Sequence, residues 1–346
     1  MELAARFRDF AAQAVRAPLY QRCAVAAADE PAVLAVLEHA PERQQLPVLL
    51  FAAVHHLLLS DTSPELAAHY PNLSGSPASG DPAPLFVQFV LDHSDRIATI
   101  VATRTTQTNE VGRCAQFVPP MGLLDRECGP LAHVDVGASA GLNLLLPRYR
   151  YEYDPGGTVG EPSQVVLPCG VKGRVPVPAA MPRISASFGL DRAPVDLADP
   201  EEVRWLEACV WPDQADRFER LVAALALADV HRPDVRRGDA VDDLAGLVME
   251  AAQHGHPVVT NSWVLNYLDH HRRLEYVAEM DRLGSSIDLS WIIAEAPDQT
   301  PGLPVPTTDP AEAITVLSLV RWRGGERTVQ RLGRTHPHGY WLDWEA

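Results

Sequence analysis

Lysine is nearly missing from this chain: Lys172 is the only one in 346 residues. A phosphate-binding loop of the Gly-Lys-Ser/Thr type needs a lysine after its last glycine. Lys172 stands instead in VKGR, so that loop is excluded. Schiff-base chemistry would have to use the same residue, and nothing beside it suggests an activated amine. Cysteine is sparse as well. Cys23, Cys114, Cys128, Cys169 and Cys209 are odd in number, widely spaced and form no CxxC pair. They indicate neither a zinc site nor a disulfide framework, and they suit free thiols in a reducing compartment. Net positive charge is also lacking. A formal charge of -16 argues against a nucleic-acid backbone as the main partner. The longest apolar run, LPVLLFAAVHHLLL, is too short to span a bilayer. The opening MELAARFRDF reads as an amphipathic helix and not as a signal peptide. The expectation is a cytoplasmic protein with no membrane partner.

What is present falls into two textures. Residues 1–128 read as helical throughout, with Leu3, Phe7, Phe10 and Ala14 at helical spacing and Leu46 to Leu59 apolar nearly all round. Adjacent His55 and His56 in that run read as core or boundary histidines. A polar stretch, RTTQTNEVGRC, carries Gln107, Asn109, Glu110 and Arg113 between two apolar segments. It suits either a helix cap or a set of groups facing a ligand. From residue 129 onward strands alternate with helices, interrupted by a Gly- and Pro-punctuated β-rich insertion near 150–182. The expected architecture is an all-α N-terminal domain over 1–128, followed by an α/β domain over 129–346. That second domain should hold about seven strands: five alternating with helices, then an antiparallel hairpin turning at Gly324-Gly325.

The most informative stretch is AHVDVGASAGLNLLL, from Ala132 to Leu146. An apolar strand ends in Asp135, then come the tiny residues Gly137, Ala138, Ser139, Ala140 and Gly141, then a helix-favouring run. A strand, a tight turn of small side chains and a helix is how a parallel sheet brings bare backbone to a ligand. As G-x-S-x-G the same letters describe a nucleophile elbow presenting Ser139, with Asp298 and His336 as candidate partners. Against the elbow stand the helical segment before the motif and the carboxylate at Asp135. A nicotinamide fingerprint fits worse, because the glycines are four apart with no third in register.

The pattern D-x-G-x-S-x-G, the later strands ending near Asp191, Asp239-Ala240 and Asn261, and the terminal hairpin together resemble the class I S-adenosylmethionine-dependent methyltransferases over about residues 130–335. Taken whole, with RTTQTNEVGRC and ACVWPDQ, the chain also resembles an uncharacterised actinobacterial family of unknown function. The methyltransferase resemblance implies a Rossmann-like sheet and S-adenosyl-L-methionine as cofactor. Asp135 and the Gly137–Gly141 loop, with Ser139 in the place of the middle glycine, would face its amino-acid end. Asp191 would take the ribose, and Asp239 with Ala240 the adenine. Asn261 would stand at the transferring methyl. The acceptor would be a small molecule, with Gln107, Asn109, Arg113 and Trp263 as binding candidates and Glu110 as a possible base. No metal is expected: His254-Gly-His256 and His336-Pro-His338 have metal-like letters but read as turns. Two other readings stay open, a serine hydrolase using Ser139 and a methyltransferase-like scaffold that binds without turnover.

Overall fold

The computed structural model describes residues 3–60, 63–299, 302–304 and 314–346. The chain forms two compact units, one of Met1–Asn109 with Leu197–Val222 and the other of Glu110–Asp196 with Ala223–Ala346. This grouping and a cut at residue 128 part ways in two places. Residues 110–128 go with the sheet, and residues 197–222 go with the helices.

The first unit holds α1 (Leu3–Gln13), α2 (Pro18–Asp29), α3 (Pro31–Leu37), α4 (Pro47–Leu58), α5 (Pro64–Ala67), α6 (Pro71–Ser74), α7 (Ala83–Asp92) and α8 (Ser94–Thr103). Proline sets many of these starts: Pro18, Pro31, Pro47, Pro64 and Pro71 each stand in the first turn, where the missing N–H costs nothing. The apolar run becomes α4, buried on all sides, with Phe51 stacked 4.5 Å from Tyr20 and edge-on to Phe7 at 6.0 Å. His55 is a core histidine. Its Nδ1 lies 3.0 Å from the carbonyl of Ala208, and burial holds its pKa down to about 4, so it is neutral.

The second unit begins with α9 (Cys114–Cys128). Of the later helices, α10 (Pro200–Ala208) lies in the first unit, α11 (Ala215–Val230) contains the division at residue 222, and α12 (Leu244–Ala251) and α13 (His270–Gly284) lie in the second. The strands are β1 (Leu131–Val136), β2 (Arg150–Asp154), β3 (Gly157–Val159), β4 (Val166–Lys172), β5 (Ile184–Asp191), β6 (Val235–Arg237), β7 (His256–Ser262), β8 (Leu289–Glu295), β9 (Thr315–Arg323), β10 (Glu326–Thr335) and β11 (Trp341–Trp344). They form one sheet in the order β3-β2-β4-β11-β10-β9-β8-β7-β1-β5-β6. The sheet therefore has eleven strands and not about seven. The extra ones are the insertion strands β2 to β4 and the terminal β11, and parallel pairing of Gly170–Lys172 with Trp341–Asp343 welds the insertion to the main sheet. The stretch from β6 to β8 is all parallel, and β9 and β10 follow antiparallel. Their hairpin turns at Gly324 and Gly325 as expected, both at positive φ (56° and 82°), as a two-residue turn of the primed type requires.

One face of the sheet is apolar. Val134, Val259, Trp291, Ile293 and Trp322 pack there against Leu247 and Val248 of α12 and Tyr276 and Met280 of α13. After β1 the sequence promised a helix. The structure gives a 3-10 helix, Leu142–Arg148, closed by Pro147. Its carbonyls at Leu142 and Leu146 accept hydrogen bonds from the buried hydroxyls of Tyr149 and Tyr151 (2.6 and 2.7 Å), which pins the turn under the insertion. Among the described residues no helix is long and apolar enough to cross a membrane.

Two helical glycines should respond in opposite directions to the same change. Gly246 in α12 has open space where a Cβ would go, so Gly246→Ala should raise stability by about 0.5–1 kcal/mol. At Gly284, the last residue of α13, a Cβ would fall inside the Trp322 indole. Gly284→Ala should destabilise by about 1–3 kcal/mol despite the better helix propensity. Urea unfolding of both variants measures the contrast, and a gain at Gly284 would refute this packing.

Candidate functional site

The sheet order reverses between β1 and β7. From β1 the chain adds β5 and β6 on one side, and then β7, β8 and β9 on the other. In open α/β sheets ligands bind at this switch point, beyond the carboxyl ends of the strands. Here those ends carry Asp135 on β1, Asp191 on β5, Asn261 and Ser262 on β7, and Glu295 on β8.

Asp135 is buried, with 2% exposure. Its Oδ1 accepts a hydrogen bond from the Thr260 hydroxyl at 2.8 Å, and its Oδ2 accepts one from the Asn143 amide at 3.4 Å. Thr260 spends its proton on Asp135, so its Oγ1 accepts from His133 Nε2 at 2.8 Å. His133, Thr260 and Asp135 thus form a hydrogen-bonded chain across two strands. Burial pushes Asp135 up to about 7; the bonds from Thr260 and Asn143 offset part of this, the charge of Asp191 adds to it, and Arg113 works against it.

Glu295 is the second buried acid, with 0% exposure. One oxygen, Oε1, accepts from Asn261 Nδ2 (2.5 Å) and from the amides of Val264 (2.8 Å) and Leu265 (3.3 Å). The other, Oε2, has no hydrogen-bond partner among the described residues. Burial raises this carboxyl to about 7 as well, against the pull of its three donors and of Arg113. Asn261 is fully buried, its Oδ1 taken by Trp291 Nε1 at 2.5 Å.

The Gly137–Gly141 loop turns back onto β5. The amides of Gly137 and Ala138 donate to the Leu190 carbonyl (2.8 and 3.2 Å), and Ser139 N donates to Asp191 Oδ2 at 2.7 Å. Asp191 Oδ1 accepts from Ala193 N at 2.8 Å. Gly137 and Gly141 take positive φ (73° and 74°), and Ser139 between them does so too, at 52°. Among the described residues the other non-glycine in this region is Trp263, at 57°, just past β7. A left-handed tryptophan is a genuine outlier, and such strain persists only where the surroundings impose it. Trp263 is held by its amide on the Ala294 carbonyl (3.1 Å) and by its indole N–H on Thr315 Oγ1 (2.8 Å). Both strained residues flank the switch point.

The polar stretch upstream divides. Gln107 and Asn109 belong to the helical unit, where the Gln107 backbone hydrogen-bonds the Cys209 thiol. Glu110 and Arg113 belong to the sheet unit. Glu110 caps the short turn Val111–Arg113 through its Oε1 on Gly112 N (2.9 Å), with His338 Nδ1 3.9 Å from Oε2. Buried Arg113 donates to the carbonyls of Pro337 (2.8 Å) and Ser262 (3.2 Å). Asp239 stands just past β6, with Val241 N at 2.9 Å and Arg272 Nη2 at 2.5 Å on its Oδ1, and Ala240 beside it packs toward the apolar core. Asp298, the acid considered for a triad, is exposed. His336 accepts the His338 amide on its Nδ1 (3.0 Å).

Sequence reading missed Glu295, Thr260, Asn143 and His133. A signal for two of them existed. DLSWIIAEAP ends an apolar strand on an acid just as AHVDVGAS does, and His133-x-Asp135 places polar groups on alternate positions of a strand otherwise apolar. The partners Thr260 and Asn143 carry no such mark.

Fold and site together define an α/β protein of doubly wound order, with two buried carboxylates at the mouth of the sheet. The family described as an uncharacterized protein conserved in bacteria (DUF2332) matches residues 4–344, and the chain belongs to it. No curated protein and no solved structure matches the chain.

The acid at Asp135 carries a stability signature. Its folded-state pKa near 7 lies above the unfolded value of about 4. The folded form therefore holds the proton more tightly. That stabilisation is complete below about pH 4 and lost as the pH rises through 7. Asp135→Asn should remove this dependence and gain about 2–4 kcal/mol on the wild type between pH 4 and pH 8. Denaturant unfolding at several pH values checks the slope, and parallel curves would disprove it.

Proposed function

We propose that this protein is an S-adenosylmethionine-dependent methyltransferase acting on a small molecule, with the cofactor bound at the β1–β7 switch point. The observation that carries this reading is the pairing of strand-end acids with a left-handed small-residue loop: Asp135 before the loop, and Asp191 bonded to its Ser139 amide. The fit of the cofactor rests on acceptor capacity. A carboxylate offers about four lone-pair sites, and two amides on Asp191 leave room for a ribose diol. The loop fits by close approach of backbone and not by free amides, since those of Gly137, Ala138 and Ser139 are spent on β5. When bound, the cofactor supplies a methyl group on a sulfonium, which needs in-line alignment and exclusion of water more than a strong acid-base pair. In this reading Asp135 accepts from the cofactor's ammonium. Asn261, held by Trp291 and Glu295, shapes the β7 wall with Trp263. Glu110 and Arg113 border the acceptor.

A second reading is favoured by one observation, the φ of 52° at Ser139, because a nucleophile elbow strains its serine in this way. The exposure of Asp298 weighs against it, since the acid of a triad is buried.

Two measurements separate these readings. Titration with S-adenosylhomocysteine should raise the wild-type melting temperature, and Asp191→Ala should lower affinity by about tenfold or more, the loss of a hydrogen-bonded contact to a charged group. No thermal shift at saturating ligand would sink the methyltransferase reading. Binding without methyl transfer to any acceptor would mark a ligand-binding scaffold. Ser139→Gly should keep ligand binding and gain about 0.5–1 kcal/mol from the relieved left-handed backbone. Fluorophosphonate labelling of the wild type that is lost in this variant would instead establish the hydrolase.

A further inference from the structure

We infer that Glu295 is a positioning residue of the crevice, holding the left-handed Trp263 turn and Asn261 in place so that ligand binding at β7 depends on a side chain the ligand does not touch. This goes beyond the methyltransferase reading, because it needs only that the β1–β7 crevice binds something. The geometry is lopsided. Three donors converge on Oε1, from Asn261 and from the two amides that follow Trp263, at 2.5, 2.8 and 3.3 Å. These bonds fix both ends of the residue whose φ of 57° no tryptophan adopts unaided. Among the described residues Oε2 is buried without a partner, and so is the hydroxyl of Tyr276, which feels the charges of Glu295 and Asp135. Buried polar atoms left in this state cost stability and call for a reason beyond packing.

Charge decides how firmly the turn is held. A carboxylate accepts roughly twice as strongly as a neutral carboxyl group. Burial places the ionisation of Glu295 at about 7. The groups facing it are Arg113 from the turn before α9, which favours the ionised form, and Tyr276 from α13. Above neutrality the turn is held by charge-assisted bonds, and below it by weaker ones.

The test uses the emission of Trp263, taken as the difference between the wild type and Trp263→Phe. Wild-type emission should change with a midpoint near pH 7. Glu295→Gln, uncharged at every pH, should stay flat at the low-pH wild-type value. The same variant should be more stable than the wild type at pH 8, the opposite of what loss of a purely structural contact gives. A transition that persists in Glu295→Gln belongs to Asp135 and overturns the inference, as does a wild type with no transition. In parallel, S-adenosylhomocysteine should bind the wild type about five- to tenfold more tightly at pH 8 than at pH 6, with a smaller dependence in Glu295→Gln, where Asp135 alone still titrates; an undiminished dependence in that variant overturns the inference. If that ligand never binds, the methyltransferase reading fails while the emission experiment still decides the role of Glu295.

Discussion

Removing a carboxylate from water is among the costliest things a fold does, and this one does it twice at the same end of one sheet. Asp135 and Glu295 are compensated in different ways. Asp135 has its oxygens occupied by side chains from β7 and from the 3-10 helix after β1, and Glu295 has one oxygen crowded and the other, among the described residues, without a partner. Both acids feel the charge of Arg113, whose guanidinium donates to the carbonyls of Ser262 at the end of β7 and of Pro337. Apolar packing would serve stability better than buried charge of this kind.

The rest of the sheet unit supports that end. The apolar face against α12 and α13 fixes the strands, and the insertion β2–β4 locks the turn after β1 through tyrosine hydroxyls. Tyr153 reaches from the insertion to the Ala115 carbonyl of α9 (2.8 Å), so the same element steadies the helix that carries Gln116 beside Ser262. An excursion that looked peripheral is a brace for the site.

How much of this the residues announce depends on whether the signal is local. β1, β5, β7 and β8 are apolar runs ending at polar residues, and their ends Asp135, Asp191 and Asn261 are legible as such. The Gly324-Gly325 hairpin is legible for the same reason, since a turn is a matter of adjacent residues. The attachment of β4 to β11 is not: alternation in 166–172 says a strand exists without naming its partner 171 residues on. The 3-10 helix after β1 escaped because leucines suggest a helix, while the deciding groups, two tyrosine hydroxyls, lie beyond Pro147. Glu295 escaped because its role appears only once Asn261, Val264 and Leu265 are brought onto it from another strand. The pairing of Asp135 with Thr260, 125 positions apart, is invisible for the same reason.

The bond from Arg113 to Pro337 spans 224 residues. A chain emerging from the ribosome has made β1, both acids and the strained turn at Trp263 well before it makes the carbonyl that orients this arginine. Until then the guanidinium lacks one of its anchors. Contacts of such long separation form late and slowly. Fixing this arginine at the mouth of the sheet therefore waits on a residue made 224 positions later.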